Sequence, residues 1–218
     1  MIKKAYLQAL IVIFYAVGTV GILLPETREL FLKLTFFNLA LSFVIIMLAR
    51  DQRRKDFYVF LAASWLVGFA VEWIGIHTGL LFGSYSYGEN LGLKFLGIPL
   101  VIGLNWGLVT ISAAALANRI SKNKKWVLTI ATLLMVALDF LIEPVAMKSD
   151  FWTWENGVIP LYNYLCWGLV GLFLQIAFQK TSLWEENKVN DTLFITMFVF
   201  FIILNFSLLC IGGGLLFY

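Results

Sequence analysis

The sequence predicts an all-α protein, a polytopic membrane helix bundle with about seven transmembrane helices. Hydrophobic residues make up 61% of the 218 residues and charged residues only 13%, whereas soluble domains carry roughly a quarter charged residues. The mean hydropathy is +0.88. Apolar segments recur along the chain, each close to the roughly 20 residues that cross about 30 Å of hydrocarbon. No internal repeat interrupts them, so we expect residues 1–218 to form a single transmembrane helical domain.

Seven apolar segments define the predicted spans. The first is too long for a cleaved signal peptide, and it ends in Pro25-Glu26-Thr27 rather than in a small-residue cleavage site. Both cysteines, Cys166 and Cys210, lie inside apolar segments, which excludes a disulfide framework and a multi-cysteine zinc site. The predicted spans are Ala5–Leu24, Leu30–Ala49, Phe57–His77, Ile98–Asn118, Trp126–Ala146, Leu161–Lys180 and Thr192–Leu215.

Lysine and arginine are distributed unevenly between the two sides of this bundle. Twelve fall on the side of the N-terminus and four on the other side. Because cytoplasmic loops carry the excess of basic residues, we expect a cytoplasmic N-terminus and an outside C-terminus. The same bias accounts for the net charge of +3 without any nucleic-acid partner. The four basic residues expected outside are Arg28, Lys33, Lys94 and Lys148.

Two loops, Leu80–Gly97 and Met147–Pro160, differ from the charged connectors between the other spans. Both are rich in Gly, Trp and Tyr, both are expected to face outward, and both close on an Ile-Pro pair before the next span. Belts of Trp and Tyr at the membrane interface explain part of this composition without any function. Two such loops on one side also suggest a common site.

Five polar residues inside the spans are expected at similar depth in the outer half of the bundle. Asp139 and Glu143 share one helix face, because they are spaced i and i+4. No span interior offers a Lys or Arg to pair the carboxylates, so they are functional candidates, although a single buried Asn often serves only as an interhelical hydrogen bond. Like charges close together in a low dielectric cannot all ionise, so some carboxyls should keep or share a proton. The five residues are Glu72, Asn105, Asp139, Glu143 and Asn163.

Several membrane chemistries are excluded by residues that the sequence lacks. The last span has no lysine for a retinal Schiff base, and a single histidine cannot serve a histidine-rich di-iron centre. The acidic pair Asp139-x-x-x-Glu143 has no second copy, which a Mg²⁺-dependent prenyltransferase would need. We see no ligand set for a metal and no sign of a cofactor. Proton chemistry on an apolar molecule, or transport, remains.

A neutral buried carboxylic acid can protonate a carbon–carbon double bond. A trisubstituted isoprenoid end would give a tertiary carbocation, which aromatic faces stabilise through their quadrupoles. Water oriented by a second carboxylate or an amide then gives a tertiary alcohol, whereas attack by an internal double bond gives a ring. The aromatic residues that would line such a pocket, unless they are ordinary interface anchors, are Trp73, Tyr85, Tyr87, Trp106, Trp152, Trp154 and Trp167.

Two blocks of residues around these positions form a pattern together. The first block comprises Glu72-x-x-Gly75, Phe82-Gly83-x-Tyr85-x-Tyr87, Gly97-Ile98-Pro99-Leu100 and Asn105-Trp106. The second block comprises Asp139-x-x-x-Glu143-Pro144-Val145-Ala146, Phe151-Trp152-x-Trp154, Gly157, Ile159-Pro160, Asn163-Tyr164 and Trp167-Gly168. These blocks resemble a known family, the membrane carotenoid biosynthesis proteins of the carotenoid 1,2-hydratase and bisanhydrobacterioruberin hydratase kind. In that family an Asp often precedes the proline, so Glu143 is a departure by one methylene that keeps the carboxylate.

The resemblance implies a cofactor-independent hydro-lyase that adds water to the terminal double bond of an acyclic carotenoid end. It also implies a carotenoid substrate within the lipid of a bacterial or archaeal cell membrane, with other carotenoid-pathway enzymes as potential partners. On chemical grounds we expect Glu72 and Asp139 to be the acid and water-orienting pair, supported by Glu143, Asn105 and Asn163. A carotenoid cyclase and a membrane carrier of an apolar substrate remain the alternatives.

Overall fold

The computed structural model describes residues 3–50, 55–181 and 187–212, with only the backbone from residue 208 onward. Its helices are α1 Lys4–Leu23, α2 Arg28–Lys33, α3 Thr35–Leu48, α4 Lys55–Thr78, α5 Leu100–Ile120, α6 Lys124–Lys148, α7 Leu161–Lys180 and α8 Lys188–Gly212. Its short strands are β1 Tyr85–Tyr87, β2 Lys94–Phe95, β3 Ile98–Pro99 and β4 Trp152–Trp154.

The predicted all-α membrane bundle is confirmed. Within the described residues, six helices are long and apolar enough to cross a membrane, namely α1 and α4 to α8. Six of the seven predicted spans agree with these helices to within four residues at every end that the structure describes. Several features of the sequence lie outside the described part of the structure. They are the predicted end of the last span at Leu215, the Cys210 side chain, and the basic residues Arg53 and Arg54.

The prediction of a single helix of twenty residues over Leu30–Ala49, the second span, is wrong. The chain forms the short helix α2, turns at Leu34, and continues as α3. The Leu34 amide donates to the Leu30 carbonyl, as in an α-helix, and also to the Leu32 carbonyl, which is a tighter turn. Phe36 packs directly on Gly92 in the loop after α4 and so holds the start of α3 against that loop. With 14 residues, α3 is only about 21 Å long.

Helix α5 lies at the centre of the bundle. It packs against α3, α4, α6, α7 and α8, and most of its residues are buried. Glycines let α4 and α5 approach closely, as small residues do between membrane helices. A Cβ added at Gly68 would lie 2.5 Å from the Trp106 ring, and one at Gly103 would lie 2.6 Å from the Trp65 ring. The α4–α5 contact therefore fixes where Trp106 points.

The two Gly- and aromatic-rich loops meet at one end of the bundle, which we call the ribbon end. Each loop closes on a proline, Pro99 before α5 and Pro160 before α7, whose extended backbone ends the loop and starts the helix. At the opposite end Arg119, in the last turn of α5, forms an ion pair with Asp191 in the first turn of α8. The prediction that both loops lie on the same side of the bundle is confirmed.

Candidate active site

The two loops pair with each other through a two-stranded ribbon. Strands β1 and β4 are antiparallel, with Tyr85 opposite Trp154 and Tyr87 opposite Trp152. Because side chains alternate along a strand, these four rings lie on one face of the ribbon. The ring centroids are 4.9 Å apart in the first pair and 6.1 Å in the second. The loops therefore present four aromatic side chains together to the helices.

Backbone contacts beside the strands fix the ribbon in place. The Gly88 amide donates to the Phe151 carbonyl at 3.0 Å, and the Glu155 amide donates to the Ser84 carbonyl at 2.9 Å. A Cβ at Gly88 would lie 2.2 Å from the Asp150 carbonyl oxygen, so this close approach requires glycine. Both ends of the short ribbon are thus tied, and the tyrosines and tryptophans are held in one register.

Glu72, on α4, accepts three hydrogen bonds from neutral donors. Its Oε2 accepts from the hydroxyls of Tyr85 and Tyr87, the second at 2.7 Å. Its Oε1 accepts from the Trp106 indole N–H at 3.0 Å. Gly75, one turn further along α4, makes room for this arrangement, since a Cβ there would lie 2.8 Å from the Tyr85 hydroxyl. Glu72 is buried, and none of these partners carries a charge.

Glu143, on α6, is held in a parallel way by the other half of the ribbon. Its Oε2 accepts from the indole N–H groups of Trp152 at 3.0 Å and Trp154 at 2.6 Å. Its Oε1 accepts from the Asn163 amide at 3.0 Å, and the same amide donates to Asp139 Oδ2 at 2.9 Å. The other Asp139 oxygen, Oδ1, is buried and has no hydrogen-bond partner in the described part of the chain. One amide therefore links the two carboxyl groups of α6.

The ribbon tyrosines remain protonated donors. Burial, followed by the negative charge on Glu72, raises the pKa of Tyr85 and of Tyr87 well above the ordinary value of a phenol. Neither hydroxyl therefore ionises in the physiological range, and both continue to donate to Glu72.

A cavity lies between the ribbon and the helices α4 to α7. Its empty volume is about 410 Å³ with its open mouth included. Two carboxylates, two amides and a set of aromatic rings face it, and none of the described Lys or Arg residues lines it. The lining residues are Glu72, Phe82, Tyr85, Tyr87, Ile102, Asn105, Trp106, Ile142, Glu143, Trp152, Trp154, Asn163 and Trp167.

Stacked rings form one wall of the cavity. Trp106 and Trp167 stack with centroids 4.0 Å apart, and Phe82 lies 6.3 Å from Trp106. Sequence reasoning did not single out Phe82, Ile102 or Ile142 as site residues. Phe82 could have been found from the sequence, because it belongs to the first block that resembles the family. The two isoleucines could not, because they look like any other apolar residue of a span.

Two of the predicted site residues lie apart from the cavity. Trp73 is 41% exposed and stacks on His77 at the end of α4, with centroids 5.0 Å apart. Asp139 is completely buried behind Asn163 and does not line the cavity, whereas Glu143 does. Among the described residues, no group of three His, Cys, Asp or Glu side chains is arranged to hold a metal ion.

Comparison with known proteins gives the same family that the motifs resemble. The family described as carotenoid biosynthesis protein matches residues 32–216. A bisanhydrobacterioruberin hydratase from Haloarcula japonica is 28% identical over 145 residues, which is 60% of this chain. The matched part spans 48%, about half, of that relative's length. No solved structure matches the chain. From the extent of the family match, the chain belongs to the carotenoid biosynthesis protein family.

Proposed function

We propose that the protein adds water to the terminal double bond of an acyclic carotenoid end and gives a tertiary alcohol. One observation carries the proposal: Glu72 and Glu143 face one aromatic-lined cavity, and each is held by neutral donors rather than by a cation. A carboxyl group without a cation can still gain and lose a proton. The family and the name of the 28% identical hydratase support the same reaction.

The reaction begins with proton transfer from the Glu143 carboxyl to the terminal alkene. The π electrons form the new C–H bond and leave a tertiary cation on the neighbouring carbon. A water oxygen then forms the C–O bond, and Glu72 accepts the proton that this water loses. One water is consumed and no electron is gained or lost. Glu72 then releases its proton and Glu143 regains one, so both carboxyl groups return to their starting forms.

The hydrogen bonds favour this division of roles. Glu72 and Glu143 each accept three hydrogen bonds from neutral donors, and such bonds favour the ionised form of a carboxyl group. Glu143 differs from Glu72 in having a second carboxyl group, Asp139, beside it. The two carboxyl groups of α6 lie close enough to accept from the same Asn163 amide, so they hold one proton between them rather than both ionise, and the unpartnered Asp139 Oδ1 has room for it. This changes the pair expected from the sequence: Glu143 contacts the substrate, and Asp139 acts behind it as a positioning residue.

The aromatic walls suit a cationic intermediate. Aromatic faces attract a cation most strongly where water is excluded. The Trp106–Trp167 stack and the ribbon rings surround the same space as the two carboxylates. The cation would therefore form beside π faces, with anionic oxygens near enough to receive a proton.

The open mouth of the cavity suggests how the substrate binds. The empty volume of about 410 Å³ includes that mouth, so the enclosed part is too small for a whole carotenoid. Only one end group of the substrate would enter, and the long polyene would stay in the lipid.

We further propose that residues 1–218 act as one transmembrane domain. Its N-terminus would be cytoplasmic, and its ribbon end would face outward with the C-terminus.

The proposal is tested by expressing the chain in a lycopene-producing bacterial host and analysing the pigments by chromatography and mass spectrometry. We expect a pigment heavier by one water with the parent chromophore, and heavy oxygen in it when the cells grow in labelled water. Glu72→Gln protein, shown to be inserted, is the matched control.

Three other outcomes would contradict hydration. An isomer of unchanged mass would indicate a cyclase. Pigment that moves between membranes without chemical change would indicate a carrier. Inserted protein without any hydrated product in lycopene, γ-carotene and bisanhydrobacterioruberin hosts would reject the reaction itself.

A further inference from the structure

Asn105, on α5, differs from most of the other polar side chains that line the cavity. Eight of them form two hydrogen-bonded groups, one of four side chains that includes Glu72 and one of four that includes Glu143. Asn105 and Trp167 make no side-chain hydrogen bond within the described part of the chain. Asn105 is also only partly buried, in contrast to its neighbour Trp106. Its carboxamide is therefore open to whatever enters the cavity.

The two free groups are not equivalent toward water. An indole N–H only donates a hydrogen bond, whereas a carboxamide both donates and accepts. A water that attacks a cation must point its lone pair at the carbon, so its own O–H groups need acceptors. Asn105 offers an acceptor that no side chain of the described protein uses, and a carboxylate offers the second.

We infer that Asn105 holds the attacking water and thereby sets the choice between hydration and the other fates of the cation. The inference rests on the hydration proposed above. One water O–H donates to the Asn105 carbonyl oxygen and the other to Glu72. When the lone pair forms the C–O bond, Glu72 takes the second proton and Asn105 keeps its hydrogen bond to the new hydroxyl.

Without that water, the cation has two other outlets. It can return a proton to a carboxylate, which regenerates an alkene, or it can be attacked by an internal double bond, which closes a ring. Neither outlet changes the mass of the pigment in ordinary water. In D2O, however, the returned alkene carries deuterium, because the proton first added came from an exchanged carboxyl group.

The test compares Asn105→Leu with the wild type in cells or membranes supplied with D2O. We expect hydrated pigment to fall by about 100-fold, the loss typical of a misplaced reactant. Deuterium in the unhydrated pigment should persist or rise, so the ratio of deuterium uptake to hydration increases. Asn105→Ser, which restores a smaller acceptor, should recover part of the hydration and lower the ratio.

Asn205 provides the matched control. It is a span asparagine on α8 whose amide donates to the carbonyls of Leu141 and Phe201, both at 2.7 Å. Asn205→Leu should leave the ratio of deuterium uptake to hydration unchanged, even where less protein is inserted.

Two results would overturn the role of Asn105. One is an unchanged ratio in both Asn105 variants, and the other is loss of deuterium uptake together with hydration in Asn105→Ser protein that is normally inserted. Failure of the underlying reaction looks different, because the wild-type protein itself would then yield no hydrated pigment.

Discussion

Glu72 and Glu143 at the ribbon end and Asp191 at the opposite end are buried carboxylates with different kinds of partner. Asp191 Oδ2 forms an ion pair with Arg119 Nε. Glu72 and Glu143 instead accept hydrogen bonds from phenol, indole and amide groups, all of them neutral. The protein thus holds its acidic groups in two ways within one bundle.

The difference separates a structural carboxylate from a chemical one. A cation beside a carboxylate stabilises the charged form and keeps the proton away, which suits a group that only joins two helices. Neutral donors fix the position of a carboxyl group without supplying a compensating charge. Such a group can pass a proton to a weak base such as an alkene.

The largest expected effect is the loss of either cavity carboxylate. Glu72→Gln and Glu143→Gln should each lower the rate of pigment hydration by about 100-fold or more, because general acid–base groups contribute about 10²–10⁴. Glutamine keeps the shape and part of the hydrogen bonding, so the bundle should still insert. The measurement is hydrated pigment per unit of inserted protein.

Asp191→Asn is the matched control for those two variants. It should leave hydration per inserted protein close to the wild-type value and lower the melting temperature by a few degrees, since about 1 kcal/mol shifts it by about 2–4 °C in a chain of this size. Arg119 is 38% exposed, so water replaces part of the lost pairing. Equal losses of turnover in all three variants would remove the distinction between the two ends.

A smaller effect is expected at Asp139, which is buried behind the cavity. Asp139→Asn should slow turnover at saturating pigment by about tenfold, because the amide cannot share a proton with Glu143. The apparent KM should stay unchanged, since Asp139 does not line the cavity. A variant with altered KM and unaltered maximal rate would show that Asp139 shapes the cavity and holds no proton.

Most of the helices can be predicted from the sequence, because each depends on the length and apolar composition of its own segment. Segment length and alternation of sides put Glu72, Glu143 and Asn163 at one end, and the structure does bring these three to one cavity. The break at Leu34 does not follow, since the apolar run continues through it, and the packing of Phe36 on Gly92 just beyond it joins residues far apart in the sequence.

The details of the site depend on contacts between distant parts of the chain. Strands β1 and β4 have three residues each and more than sixty residues between them, so nothing local indicates that they pair. Spacing of i and i+4 puts Asp139 and Glu143 on one helix face, but only the packing of α6 against its neighbours decides that Glu143 reaches the cavity. Depth and chemistry alone therefore could not tell whether Asp139 or Glu143 reaches the cavity.

The smallest expected effect concerns how closely the ribbon approaches Glu72. An added methyl at Gly75 would meet the Tyr85 hydroxyl at 2.8 Å and the Leu81 carbonyl oxygen at 3.2 Å. Gly75→Ala should move that hydroxyl away from Glu72 and lower hydration several-fold, since one ordinary hydrogen bond contributes about 0.5–1.5 kcal/mol. Gly18→Ala on α1 is the control, because its nearest neighbour, Phe200, would lie at an ordinary 3.9 Å.

A double-mutant cycle tells whether Gly75 acts through that hydroxyl. If the alanine methyl only displaces the Tyr85 hydroxyl, Gly75→Ala should cost nothing further in Tyr85→Phe protein, because the group it displaces is already absent. If the two losses multiply instead, Gly75 supports α4 by another route. In that case the hydrogen bonds at the two ends of the ribbon would position the tyrosine donors to Glu72, and the close packing of the ribbon on α4 at Gly75 would not.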